Sequence, residues 1–213
     1  MSVETATTDL SRSDARRRAI LDVASEVFVA QGYAATSMSE IAARLGGSKG
    51  TLYNYFRSKE ELFSAFITDT CQGPAMAIFD DLPAMGPGQS IRDNLISFGV
   101  GFMGFILSPR LIDLNRVVVG ETGRFPELGR MFFDAGPGRG EARFAQIAER
   151  GMEAGEIRRE DPIKVGRCLK DLILSDYHHR LLWGVLGDIP AGEIEAHVTF
   201  AVDAFIRAFA LER

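Results

Sequence analysis

Three residue types that carry much of protein chemistry are scarce in this 213-residue chain, which has two cysteines, three histidines and one tryptophan. Cys71 and Cys168 lie far apart and form neither a C-x-x-C pair nor a metal-ligand spacing. That usage suits a reducing cytoplasm, where a buried thiol behaves as a small hydrophobe. His178 and His179 are adjacent, and neighbouring side chains on a helix point about 100° apart, so they do not chelate one ion together. Asp176 with His179, or Asp171 with either histidine, supplies only part of a ligand set. No G-x-S-x-G turn and no paired-carboxylate signature is present, which leaves an enzyme reading without residues. The longest nearly uncharged run, Leu95–Leu107, falls short of the roughly 20 residues of a membrane span. The first dozen residues are polar and lack the apolar centre of a signal peptide. These absences predict a cytoplasmic, non-enzymatic protein with no metal, no cofactor and no membrane partner.

Alternating strand patterns are missing as well, and helical periodicity takes their place, so the predicted class is all-α. Residues 1–12 read as a mobile arm, and Ser13 or Asp14 as the start of a long helix. Ile20, Val23, Ala24, Val27 and Phe28 stripe that helix and Gly32 stops it. Ser58 and Glu61 make a capping box that opens a helix through about Phe79. Pro83 and Gly86-Pro87-Gly88 mark a linker. Helices then follow at Gln89–Leu107, Arg110–Gly120, from Phe125 to near Gly136-Pro137-Gly138, and at Glu141–Ala154 with Gly155 closing it. Asp161-Pro162 starts another, striped by Val165, Cys168, Leu169, Leu172, Ile173 and Tyr177 and running to Gly187. The last spans Pro190–Leu211, striped by Ile194, Val198, Ala201, Val202, Phe205 and Phe209.

The net charge of −5 argues against a nucleic-acid binder until its distribution is considered. Residues 12–59 hold eight Lys/Arg against four Asp/Glu, while residues 61–213 hold sixteen against twenty-two. An acidic remainder turns the basic end toward phosphate. Within that basic end, Ser37 and Glu40 form a capping box, Ile41, Ala42 and Leu45 share one face, and Gly46-Gly47 ends the short helix. Ser48 caps the next helix, which turns Leu52 and Phe56 to one side and Lys49, Thr51, Tyr53, Asn54 and Tyr55 to the other. Two helices joined by a tight turn, the second lined with donors, make a helix-turn-helix. Arg16, Arg17 and Arg18 either reach phosphates or solvate the start of the first helix.

From Ile20 to Phe63 the chain resembles the DNA-binding domain of TetR-family transcriptional regulators. The landmarks are Ala24, Phe28, Gly32-Tyr33, Thr36-Ser37, Ile41-Ala42, Gly46, Ser48-Lys49-Gly50, Leu52-Tyr53, Tyr55-Phe56, Ser58-Lys59 and Glu61-Leu62-Phe63. One departure is Gly47, where the family usually has a small aliphatic residue packed under the turn. The resemblance implies a helix-turn-helix domain at 13–60 and a helical effector-binding and dimerisation domain at 61–213. It places Thr36, Ser37, Ser48, Lys49, Gly50, Thr51, Tyr53, Asn54, Tyr55 and Lys59 at or near DNA. It also implies a homodimer formed through the last two helices, whose stripes are broad for lone surface helices.

A small-molecule effector inside the C-terminal domain is the remaining implication. Phe98, Phe102, Phe105, Phe125, Tyr177 and Trp183 are candidates to line its apolar cavity, with Arg116, Glu121 or His178 as polar anchors. The alternative for each aromatic is plain core. Gly99-Val-Gly101-Phe-Met-Gly104 matches G-x-G-x-x-G, but its flanks read as one apolar helical segment and not as strand and helix. The expected function is a repressor released from a palindromic operator by a largely apolar effector. An activator, or a small-molecule-binding protein of the same architecture, is the alternative.

Overall fold

The computed structural model describes residues 3–72 and 90–211. The expected linker at Pro83–Gly88 and the stretch of helix to Phe79 lie outside the described residues. Eleven helices are found among the described residues. They are α1 (Val3–Ala35), α2 (Met38–Arg44), α3 (Lys49–Tyr55), α4 (Lys59–Gln72), α5 (Ile91–Ile106) and α6 (Pro109–Glu121), followed by α7 (Pro126–Ala135), α8 (Pro137–Glu153), α9 (Pro162–Leu174), α10 (Tyr177–Leu182) and α11 (Ala191–Phe209). The all-α expectation holds. Among the described residues no single helix is long and apolar enough to cross a membrane.

Local capping sets most boundaries as expected. The Ser37, Ser48, Ser90 and Asp161 side chains each accept a backbone N–H in the first turn of α2, α3, α5 and α9. Gly46 and Gly155 take φ of +62° and +71° just after α2 and α8, where a side chain on the residue would be strained. Three boundaries differ from expectation. The helix expected from Ser13 or Asp14 begins at Val3, because no proline or glycine in residues 3–12 stops helix from propagating backward. It still breaks at Gly32, with φ 83° and ψ 169°. The helix expected from Glu141 begins at Pro137, with Gly136 at its N-cap and Pro137 where a missing N–H costs nothing. The helix read through from Asp161 to Gly187 is two helices. Ser175 takes φ 44° and ψ −133° and separates α9 from α10.

The chain forms two compact units, Met1–Thr70 with Arg116–Phe132, and Cys71–Asn115 with Phe133–Arg213. The core of the first is rich in phenylalanine. Phe28 of α1, Phe56 after α3, and Phe63 and Phe66 of α4 are all buried. Phe28 meets Phe63 edge-on at 4.8 Å between centroids, the arrangement that aromatic quadrupoles favour. Leu52 and Ile41 bring α3 and α2 onto the same core.

The second unit is built from α5, α8, α9 and α11 around Phe98, Phe102, Phe144, Leu169, Val198 and Phe205. Glycine sets how closely these helices approach. A Cβ at Gly166 in α9 would lie 2.6 Å from the backbone of Phe144 and Ala145 in α8. A Cβ at Gly99 would lie 2.6 Å from Val198 Cγ1. The G-x-G-x-x-G run is therefore the middle of α5, and its first glycine serves helix packing. On α9, Val165, Leu169 and Ile173 are buried, whereas Cys168 and Leu172, expected on the same stripe, face outward. Arg158 N–H donates to the Phe209 carbonyl at 2.8 Å and ties the end of α11 to the segment after α8.

Gly166→Ala is expected to cost about 1–3 kcal/mol, since backbone and not a flexible side chain must give way. Gly104→Ala in α5 meets nothing within 4 Å and is expected to be neutral or stabilising by up to about 1 kcal/mol. Urea unfolding of the two variants, compared with the wild type, checks the contrast.

Candidate nucleic-acid interface

The ten residues expected at DNA all lie in or beside α2, α3 and the start of α4. The α3 helix is amphipathic in a simple way. Leu52 and Phe56 are each 1% exposed, while Lys49, Gly50 and Asn54 are exposed and Tyr53 is 43% exposed. Thr51 and Tyr55 are half-buried. Ser48 Oγ accepts the Thr51 N–H at 3.2 Å and shares a hydrogen bond with Thr51 Oγ1 at 3.0 Å. Two of the expected hydroxyls are therefore already paired with each other. The outer face offers an ammonium, a phenol and an amide, the groups that meet phosphate oxygens and base edges.

Ser37 Oγ accepts the Glu40 N–H at 3.2 Å, as its box predicts. The Glu40 carboxylate turns elsewhere, to Gln31 Nε2 at 2.7 Å and Arg44 at 3.2 Å. Thr36 is buried, and its hydroxyl donates to the Gly32 carbonyl at 2.7 Å. It shapes the turn from inside.

Lys59 has the most consequential placement. Its ammonium donates to the carbonyls of Tyr33 at 2.8 Å, Thr36 at 3.0 Å and Ala34 at 3.3 Å. An ammonium has three protons, and three carbonyls take them. It also sits 4.4 Å from the centroid of the Tyr33 ring, which is buried against Phe28, Phe63 and Phe125. Lys59 therefore holds the turn between α1 and α2, a role internal to the fold that its motif position does not reveal. Burial above all, then the Glu60 carboxylate, pushes the Tyr33 phenol far above its usual range, so it stays protonated.

Arg16, Arg17 and Arg18 of α1 are likewise engaged with protein. Arg16 reaches over Gly47, where a Cβ would lie 3.1 Å from its guanidinium. Arg17 lies over the Phe56 ring at 5.2 Å, and Arg18 pairs with Asp69 of α4. The space left by the missing aliphatic side chain at Gly47 is thus approached by a cation. Arg44 and Arg57, exposed beside α2 and α3, were not among the expected contacts, although their positive charge beside the motif was visible in the sequence.

The nine candidate effector residues divide between the two units. Arg116, Glu121 and Phe125 belong to the first. Phe125 packs on Tyr33 at 5.2 Å, and Glu121 Oε1 accepts the Ala34 N–H at 2.9 Å. Phe98, Phe102, Phe105, Tyr177, His178 and Trp183 belong to the second. Phe98 and Phe102 pack against Phe144 in its core, and Phe105 is half-buried. Tyr177 donates to Glu193 at 3.0 Å, and His178 bonds Asn115 at 3.0 Å. Burial first, and then His179, lowers the His178 pKa and favours the neutral ring. Trp183 is 70% exposed. A cavity of about 230 Å³ opens near Ile91, Ile157, Phe205 and Ile206, and none of the nine lines it. Among the described residues no group of three or more His, Cys, Asp or Glu comes together as a metal would require.

Residues 20–66 match the bacterial regulatory proteins of the tetR family, and residues 93–211 match the C-terminal domain of AefR-like transcriptional repressors. A crystal structure from Mesorhizobium loti, of a protein assigned to the TetR-family transcriptional regulators, superposes with a TM-score of 0.82 at 26% identity, covering 94% of this chain and 99% of that one. The flavonoid-responsive regulator FrrA superposes with a TM-score of 0.77 at 28% identity, covering 94% and 100%. The transcriptional activator FasR of Mycolicibacterium smegmatis is 54% identical over 54 residues, 25% of each chain. The matched segment thus spans about a quarter of that curated relative's length, and 28% of the regulator YhgD of Bacillus subtilis.

Tyr53→Ala and Lys49→Ala are expected to weaken binding to duplex DNA while leaving the circular-dichroism melt unchanged, and Lys49→Ala to reduce the salt slope of binding by about 1. Lys59→Met, which keeps the stem but strands three carbonyls, is expected to cost about 1.5–3 kcal/mol of stability, read as a melting midpoint lowered by several degrees.

Proposed function

The chain belongs to the TetR family of DNA-binding transcriptional regulators, and from that membership we propose that it is a repressor that a small, largely apolar effector releases from a palindromic operator. The observation that carries this reading is α3 itself, whose Lys49, Tyr53 and Asn54 lie outward over a buried Leu52 and Phe56. The α3 helix enters the major groove, and Ser37 and Ser48 add hydroxyls at the starts of α2 and α3. Repression is favoured over activation by the AefR-like repressor match across residues 93–211, against a likeness to the activator FasR limited to 54 residues.

The working form is a homodimer, which places two α3 helices about 34 Å apart on one face of the duplex. Ile163 and Leu172 on α9 and Phe200 on α11 are large exposed hydrophobics, and they support pairing through these helices. The protein acts in the cytoplasm, where its DNA lies. The effector binds the second unit and favours a spacing of the two DNA-binding ends that no longer fits successive grooves. It does so only to the extent that it binds the two states unequally. The likeness to a flavonoid-responsive regulator favours an aromatic ligand, in keeping with a unit whose core holds Phe98, Phe102, Phe144 and Phe205.

Selection from a random duplex pool, followed by gel shift and sedimentation, tests the DNA-binding and dimer parts. Recovery of an inverted repeat bound by a dimer is expected, and a monomer at micromolar concentration, or no enriched sequence, would overturn them. Flavonoids are expected to release that duplex where citrate and sugar phosphates do not. Release by the charged compounds alone would refute the apolar effector.

A further inference from the structure

The four residues between the break in α1 at Gly32 and the Ser37 cap of α2 are held by side chains distant in sequence. Lys59 takes the carbonyls of Tyr33, Ala34 and Thr36, and Thr36 returns its hydroxyl to the Gly32 carbonyl. The Ala34 N–H goes to Glu121, the last residue of α6 and 87 positions away, at 2.9 Å. Gly32 makes that contact possible in two ways. Its φ of +83° turns the chain at the end of α1. A Cβ there would lie 2.7 Å from the same Glu121 oxygen that holds Ala34, so the carboxylate occupies the place a side chain would need. The turn leads directly to Ser37, which caps α2, and Gly46 then joins α2 to α3.

We infer that Glu121 is a positioning residue for DNA binding: a carboxylate that clasps the α1–α2 turn from the end of α6, in place of the effector-anchoring role its position in the sequence suggests. A carboxylate on a backbone N–H is a charge-assisted hydrogen bond, stronger than a neutral one and directional. Without it, a half-buried N–H loses its acceptor and the turn gains freedom at the root of the helix-turn-helix. The α6 helix carries residues of both units, with Asn115 in the second and Arg116–Glu121 in the first. The inference rests on the DNA-binding reading above.

The test uses the full chain and the duplex recovered by selection with the wild type. Glu121→Ala is expected to bind that duplex about tenfold more weakly, with its melting midpoint within a few degrees of wild type and faster hydrogen exchange at the Ala34 amide. Glu121→Gln retains an oxygen that accepts the N–H and is expected to stay within about threefold of wild type, with Ala34 still protected. Equal affinity of wild type and Glu121→Ala would overturn the inference, as would equal loss in both variants or an unchanged Ala34 exchange rate. If no duplex is recovered with the wild type, the DNA-binding reading fails first, and the Ala34 exchange rates alone then decide whether the clasp exists.

Discussion

A helix of seven residues does not hold itself together in water, because nucleation costs more than two turns of hydrogen bonds return. The α3 helix is that short, and its Ser48 cap satisfies only one of its free N–H groups. It persists because Leu52 and Phe56 are buried in a core shared with α1, α2 and α4. Each fully buried side chain of that size is worth about 1.5–3 kcal/mol, enough to offset the nucleation penalty. Lys49, Tyr53 and Asn54 on the outer face are then free to be chosen for chemistry, since the buried face and the Ser48 cap hold the helix.

The same core explains the internal use of several charges. Phe28, Phe63 and Tyr33 leave the α1–α2 turn without water on one side, so its carbonyls and N–H groups need protein partners. Lys59 supplies three protons to the carbonyls, and Glu121 an acceptor for the Ala34 N–H. Two residues that look like ligand contacts from their charge are thus the two that order the turn. Arg17 over Phe56 and Arg18 on Asp69 extend the pattern along α1.

In the second unit, close helix contact adds to side-chain clasps such as Tyr177 on Glu193. Gly166 lets α9 approach the α8 backbone, and Gly99 lets α5 accept Val198 of α11. At these two points the helices approach as closely as backbone and side-chain volume allow. The buried Cys71 thiol, its pKa pushed up to about 12 by burial, acts as packing and not as a nucleophile.

The class of fold, the helix-turn-helix and most helix ends were legible in the residues alone. Each depends on neighbours three or four positions apart, as with Ser48 and Thr51, Asp161 and Lys164, or the glycine after α2. The inward and outward sides of α3 were legible for the same reason, since Leu52 and Phe56 share a stripe. The break at Ser175 was not, because serine carries no local signal for a positive φ. Nor was the outward turn of Cys168 and Leu172, whose stripe is wider than the face that α8 and α11 cover. The tasks of Lys59 and Glu121 were decided by tertiary structure alone. The groups they hold lie 23 to 26 and 87 residues away, and a spacing pattern cannot show which backbone atoms the fold leaves without water.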